Sequence, residues 1–142
     1  MKVFGRRNKK KTVYAYLVAD VFHIGHLKFL QNAKKEGDYL IAGILTDEAC
    51  MEKKPRPIIP YEERKAIVKS LGIVNKVVGQ REYSPLKNIK KFKPKVLMES
   101  DSHKEMPGNR FVEGYGGIIV VAPYYEGQSS TSIKKKIIRK AL

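Results

Sequence analysis

Five short apolar runs, Tyr14 to Val18, Tyr39 to Leu45, Lys76 to Gly79, Lys95 to Met98 and Gly117 to Ala122, punctuate the chain at intervals that stretches of helical period fill. A parallel strand needs a crossover to reach its neighbour, and a helix is the usual one, so this alternation predicts an α/β fold with one parallel sheet covered on both faces. Tyr39 to Leu45 is almost continuously apolar, as a strand buried on both faces must be. Between the first two runs, Leu27, Phe29, Leu30 and Ala33 recur at helical spacing from Gly25, and Gly37 is placed to stop that helix. Thr46 and Asp47 can cap a short helix after the second run. Met51 to Pro60, with three prolines and the cations Lys53, Lys54 and Arg56, reads as a loop.

Further helices are expected from Pro60, with Ile67, Val68 and Leu71 inward, and from Pro85, with Leu86, Ile89 and Phe92 inward and Pro94 as the stop. Glu99 to Arg110 reads as an irregular stretch with room for one helical turn. Ser130 to Leu142 reads as a last helix with Ile133, Ile137 and Ile138 toward the core. With 142 residues, no internal repeat and no boundary, the chain is expected to form one domain over residues 12–142 after a basic extension, residues 1–11.

Three polar clusters each follow directly on a run: His23 and His26; Glu99, Asp101 and His103; and Glu126 to Thr131. In an open α/β sheet the loops at the carboxyl ends of strands line the ligand crevice. A strand order 3-2-1-4-5 puts the crevice between strands one and four and brings the clusters together. The sharpest of them is Asp20-Val21-Phe22-His23-Ile24-Gly25-His26. Two imidazoles three residues apart share the first turn of a helix, whose unpaired N–H groups and dipole suit a phosphate. Gly25 lets a ligand close to the backbone. A helix start works against imidazolium and a triphosphate favours it, so the protonation state stays open here. Asp20 is either a turn acid or a group orienting a histidine or a metal-bound water. Gly127 to Thr131 offers hydroxyls and N–H groups for a second phosphate, and Lys53, Lys54 or Arg56 could meet a departing pyrophosphate. Arg64 reads as a surface helix residue paired with Glu62 or Glu63.

The 29 Lys and Arg against 14 Asp and Glu give a net charge of +15, which draws polyanions. The cations lie in runs without interleaved aromatics or a nucleic-acid module, which favours a solvated surface over nucleic acid as partner. Glu99, Asp101 and His103 match no metal-ligand spacing, so no protein-held metal is expected. Cys50 stands alone, which excludes an internal disulfide and fits a reducing cytoplasm. No stretch approaches a membrane span, and the N-terminus lacks a signal peptide's apolar core.

The quoted residues resemble the small cytidylyltransferase-type nucleotidyltransferases, a family that includes glycerol-3-phosphate and phosphonate-linked cytidylyltransferases. The likeness covers about residues 12–142. It rests on His23-Ile24-Gly25-His26 at the family's HxGH, Gly37 to Glu48, Tyr61 to Lys65, and Tyr125 to Thr131 at its TEGxSTT signature. It implies a Rossmann-like, HUP-type fold, a homodimer, and transfer of a nucleotidyl group from a nucleoside triphosphate, releasing pyrophosphate. The acceptor implied is small and phosphorylated or phosphonylated, such as glycerol 3-phosphate. CTP is the donor favoured, with ATP and a sugar-phosphate or FMN acceptor as the alternative, and Mg²⁺ is expected on the nucleotide phosphates.

By position, the resemblance makes His23, His26 and Lys53 catalytic. It assigns Val18, Ala19, Asp20, Gly25, Arg64, Asp101, Tyr124, Glu126, Gly127, Ser129, Ser130 and Thr131 to the nucleotide. The chain departs from the family pattern at three places. Leu17-Val18-Ala19-Asp20 stands where G-T-F-D is usual, Tyr124 replaces an arginine, and Glu99-Ser100-Asp101-Ser102 stands at G-D-D-W. A protein of this fold that binds nucleotide or nucleic acid without turnover is the competing expectation.

Overall fold

The computed structural model describes residues 10–100, 106–123 and 125–141. Five strands, β1 (Thr12–Leu17), β2 (Tyr39–Leu45), β3 (Lys76–Gln80), β4 (Val96–Glu99) and β5 (Ile118–Val121), form one sheet in the order β3-β2-β1-β4-β5. Every neighbouring pair is parallel. Six helices connect and follow them: α1 (Ile24–Lys35), α2 (Asp47–Met51), α3 (Tyr61–Lys69), α4 (Leu86–Phe92), α5 (Pro107–Gly114) and α6 (Ser130–Ala141). The order reverses between β1 and β4, as in the expected order 3-2-1-4-5.

The pleat sends alternate residues of β1 into two cores. On one face Val13 and Ala15 pack with Leu30 and Ala33 of α1 and Val68 of α3, while on the other Tyr14 and Tyr16 pack with Ala49 of α2, Ile89 of α4 and Val112 of α5. A fully buried side chain of the size of Leu30 or Val68 contributes about 1.5–3 kcal/mol, so α1 and α3 are held chiefly by these stripes. Thr46 caps α2 as expected, its hydroxyl accepting from the Ala49 N–H at 3.1 Å.

Four local expectations are corrected. The first strand ends at Leu17 rather than Val18, because the Val18 carbonyl leaves the ladder to accept from Arg64. The end of the stretch read as irregular opens α5, two turns that start at Pro107, run past Arg110 to Gly114 and bury Val112. The N1 proline was the signal for it, weakened by Gly108 and Asn109, both poor helix formers. Ile67 is exposed, since the inward arc of α3 is centred on Val68 and Arg64. In α6 none of the three isoleucines is buried, and Ile137 and Ile138 are 58% and 61% exposed, because this helix meets the body of the protein through polar contacts at its first turns.

Candidate active site

The chain leaves β1 through a tight turn in which two residues with side chains, Ala19 (φ 60°) and Val21 (φ 47°), are left-handed. A β-branched residue there is a true outlier, and such strain persists only where the surroundings over-determine it. Asp20 supplies that constraint. Its carboxylate accepts from the N–H groups of Ile58 and Ile59, both at 2.9 Å, and from Lys134 Nζ at 2.7 Å. Its carbonyl accepts from Ser130 Oγ at 2.6 Å. One buried residue therefore joins the β1–α1 turn, the proline-rich loop and the start of α6. Burial would push its carboxyl up, but Lys134 and the two N–H groups outweigh that and hold it below the usual carboxylate range.

At the start of α1 the histidines cap the helix themselves. Gly25 N–H donates to His23 Nδ1 at 3.0 Å, and His23 N–H donates to His26 Nδ1 at 3.2 Å. The rings lie 3.9 Å apart between centroids, with Phe22 against His26. Burial lowers His23's pKa, and burial with the neighbouring His23 pushes His26 down to about 3, Asp20 opposing. Both shifts favour the neutral imidazole in the unliganded protein. Each Nδ1 is an acceptor, so the ring proton sits on Nε2. Gly25 must lack a side chain: a Cβ would lie 2.8 Å from His23 Cε1 and 3.2 Å from the Gln128 carbonyl.

The pair opens on a cleft of about 1160 Å³ at the carboxyl ends of the strands. Val18, Ala19, Asp20, His23, Gly25 and His26 line one side, and Ser129, Ser130 and Thr131 come to it from α6. The hydroxyls at α6 are partly committed. Ser129 Oγ accepts from the Ser132 N–H at 3.0 Å and Ser130 Oγ is on Asp20, so a phosphate would meet Thr131 and the N–H groups of the first turn.

Other expected positions fall elsewhere. Arg64, expected at the surface or on the nucleotide, has no exposed side chain and is not in the cleft wall. Its guanidinium donates to the carbonyls of Ile59 (2.8 Å), Val18 (2.6 Å) and Leu45 (2.8 Å) and pairs with Asp47 at 2.7 Å, not with Glu62 or Glu63. It ties the ends of β1 and β2 to the loop under the cleft. Lys53 is exposed, with Nζ 5.8 Å above the Tyr83 ring, and it is Lys54 and Arg56 that reach the cleft. Glu126 and Gly127 are exposed and do not line it. Asp101, His103 and Tyr124 lie outside the described residues.

Sequence reasoning missed Lys134, whose signal was its place four residues after Ser130 on the same helical face. It also missed Tyr16 and Tyr83, which look like core tyrosines and wall the cleft as well. Tyr16 Oη donates to Glu99 Oε1 at 2.5 Å, Glu99 is fully buried, and burial raises its carboxyl to about 7 although the bond from Tyr16 opposes this. Among the described residues no group of three or more His, Cys, Asp or Glu could hold a metal, and no helix is long and apolar enough to cross a membrane.

The family model described as cytidylyltransferase-like matches residues 18–136. Among curated proteins, the bifunctional protein HldE of Geobacter metallireducens is 36% identical over 134 residues, which are 92% of this chain and 27% of that protein. HldE of Geobacter sulfurreducens is 34% identical over the same shares. The chain thus spans 27% to 29% of the length of such curated relatives. A lipopolysaccharide core biosynthesis protein from Thermoplasma volcanium superposes with a TM-score of 0.74 at 24% identity, over 83% of this chain and all of that one. A pantoate-beta-alanine ligase from Francisella tularensis, solved with beta-gamma ATP and beta-alanine, gives 0.59 at 15% identity over 98% of this chain and 73% of that one. Both share the fold.

Proposed function

We propose, from the premise that this chain belongs to the cytidylyltransferase-like family of nucleotidyltransferases, that it moves a nucleotidyl group from a nucleoside triphosphate to a small phosphorylated or phosphonylated acceptor. An oxygen of the acceptor's phosphate attacks the α-phosphorus. A new P–O bond forms as the bond to the α–β bridging oxygen breaks, and the electron pair leaves with pyrophosphate. A phosphate nucleophile is already ionised at neutral pH, so the protein needs donors where charge grows rather than a base.

The observation that carries this reading is the His23/His26 pair that caps the start of α1 and faces the start of α6 across one cleft. Their Nε2–H groups suit the α-phosphate oxygens. Removing one such donor from a transition state costs about a hundredfold to a thousandfold in rate. Thr131, the first N–H groups of α6, Lys134, Lys54 and Arg56 supply positive potential for the departing pyrophosphate, and Lys53 could join them. Val18, Ala19 and Gly25 present backbone for close approach of the nucleotide, and Ser129 and Ser130 hold the α6 start in place. Roles on the nucleotide for Asp101, Tyr124, Glu126 and Gly127 come from the resemblance alone. Arg64 acts through the loop it anchors.

Mg²⁺ fits this donor set as an ion carried by the triphosphate. Asp20, the carboxylate in the described cleft wall, already accepts three hydrogen bonds, so phosphate oxygens would hold the ion, which would neutralise part of their charge. The donor is CTP or ATP. CTP is the donor the resemblance favours, and ATP is supported by the ligase of the same fold solved with beta-gamma ATP. Glycerol 3-phosphate, sugar phosphates and FMN are the acceptors to try. The family premise also favours a cytoplasmic homodimer, which light scattering checks for the assembly.

The test is a thermal-shift comparison of ATP, CTP, GTP and UTP with Mg²⁺, followed by pyrophosphate release against those acceptors. A bound ligand at 100 times its Kd adds about 2.7 kcal/mol, a readable rise in melting temperature. One or two nucleotides should stabilise the protein and support turnover, and His23→Ala or His26→Ala should abolish most of the rate. A response to nucleic acid with none to any nucleotide would reject the proposal.

A further inference from the structure

The net charge of +15 is not spread evenly over the fold. Helices α1, α3, α4 and α5 each lead into the amino end of the next strand, so their last turns lie at the end of the sheet opposite the cleft. There the last turns of α1, α3 and α4 carry Lys34, Lys35, Lys69, Lys90 and Lys91. Lys10, Lys11, Lys76, Lys93 and Lys95 stand in the connections and strand starts beside them. Against these ten lysines stand three carboxylates, Glu36, Asp38 and Glu113. Other described carboxylates, such as Asp20, Asp47, Glu52, Glu62 and Glu82, follow strands or open helices toward the cleft end. The charge excess therefore belongs to the face that the triphosphate does not use.

Lysine in a last turn complements the helix dipole, which accounts for the first five of these lysines and not for the second five. Nor are the charges met within the protein. The ion pairs among the described residues join Arg56 and Arg64 to Asp47, Lys65 to Glu62, Lys87 to Glu82 and Lys134 to Asp20, and none uses a lysine of this face. Lys34 and Lys95 donate to neutral oxygens, of Asn75 and Asp38 and of Gly116. All ten but Lys34 are exposed. Residues 1–9, outside the described residues, add Lys2, Arg6, Arg7 and Lys9 with no acid and join the chain just before Lys10.

The strand starts make this face level. Thr12 lies beside Tyr39, Val13 beside Val96, Val96 beside Ile118 and Ile41 beside Lys76, so all five strands begin within two residues of one another, about 7 Å. Five strands about 4.8 Å apart make the sheet edge about 19 Å wide. Among the described residues no element projects from it to enter the groove of a duplex. Its aromatic rings are roofed rather than open to a stacking base: Lys10 Nζ lies 5.6 Å from the centre of Tyr39, Lys76 and Lys91 Nζ each 5.3 Å from that of Phe92, and Lys90 Nζ 5.6 Å from that of Phe111. A level cationic face of this kind complements a plane of negative charge. We propose that the amino-end face of the sheet docks on an anionic lipid bilayer. The cleft then opens away from the bilayer toward dissolved substrates. Docking of this kind holds the protein at the headgroups by charge alone and stands independently of the nucleotidyl-transfer reading.

The experiment floats the full chain with phosphatidylcholine vesicles, with and without phosphatidylglycerol, at low salt and at about 0.5 M, where screening shortens the reach of surface charge to a few ångströms. The wild type should float with the phosphatidylglycerol vesicles alone and be released by salt. Each lysine near such a surface multiplies the partition by about five. Lys10→Gln/Lys76→Gln/Lys91→Gln should therefore weaken binding about a hundredfold, and the corresponding Glu triple should weaken it further. Lys65→Glu/Arg81→Glu/Lys87→Glu makes the same change of charge away from this face and should stay near the wild type. The Gln triple keeps the test decisive if charge reversal disturbs folding. Equal losses in the two Glu triples would mean that total charge alone matters, and the docking face would be rejected. No binding to phosphatidylglycerol vesicles, or equal binding without that lipid, would reject it too. So would a duplex or single-stranded oligonucleotide that displaces the vesicles and loses its own binding in the Gln triple, because the partner would then be nucleic acid. Pyrophosphate release by the Gln triple should match the wild type, and its loss would show that the face belongs to the catalytic machinery instead.

Discussion

Replacing Arg64 by methionine, which keeps much of the volume and none of the donors, tests whether this arginine is structural or a ligand contact. Its four hydrogen bonds, at 2.6 to 2.8 Å, go to the carbonyls of Val18, Leu45 and Ile59 and to Asp47. The Leu45 carbonyl is the most deeply enclosed of these. Asp47 is 16% exposed and keeps Arg56 at 3.4 Å, so it can recover part of what it loses. Adding up bonds to a charged donor at about 1.5–3 kcal/mol each would overshoot, because the partners share one group. Removing one member of a buried pair costs about 3–5 kcal/mol, a large part of the roughly 5–15 kcal/mol that holds a domain together. For a chain of this length that lowers the melting temperature by about 10–15 °C. Urea denaturation should show the same loss as a shifted midpoint with an unchanged slope. Arg64→Lys should fall between, since an ammonium cannot span four partners in a fork. If Arg64→Met melts within about 2 °C of the wild type, well inside the loss expected for a buried pair, and only the shift induced by nucleotide disappears, the structural assignment is wrong and Arg64 contacts the ligand.

Gly25→Ala should lower kcat by about tenfold or more, since misplacing a reacting group by an ångström can cost that much, while the fold survives; the new methyl must displace His23 or Gln128, and an unaffected rate would show that the ring position is not critical. Asp20→Asn removes the ion pair with Lys134 and one of the acceptors for Ile58 and Ile59, so proteolysis within residues 52–60 should accelerate and KM for the nucleotide should rise. A digestion pattern like that of the wild type would remove Asp20 as the joint. His26 titrates at about 3 when folded and at about 6.5 when unfolded, so between those values the unfolded chain binds the extra proton and stability falls as the pH drops. Between pH 7 and pH 5, above the range of Asp20, thermal stability of the wild type should therefore decline more steeply than that of His26→Gln. Equal slopes would mean that His26 is not held neutral.

The strand runs, the parallel sheet and the placing of His23, Gly25 and His26 at a strand-to-helix turn were legible in the sequence because each depends on local period or on residues a few positions apart, whereas the strand order rests on pairing between distant segments such as β1 and β4. The chemistry of those residues was not, because it depends on partners far along the chain. Asp20 acquires its role from Ile58, Ile59, Ser130 and Lys134; Arg64 turns inward because three carbonyls and Asp47 converge on it; and Glu99 meets Tyr16 through strand register. The same contrast explains α6, whose isoleucines have the period of a packed helix although Ile137 and Ile138 stand exposed, since only tertiary structure decides whether anything lies opposite an apolar stripe. Sequence alone specified most of the backbone elements and which residues would stand at the turn between β1 and α1. The neutrality of the two imidazoles came with burial, which withdraws water from them, and burial is a property of the folded assembly of strands and helices rather than of any segment.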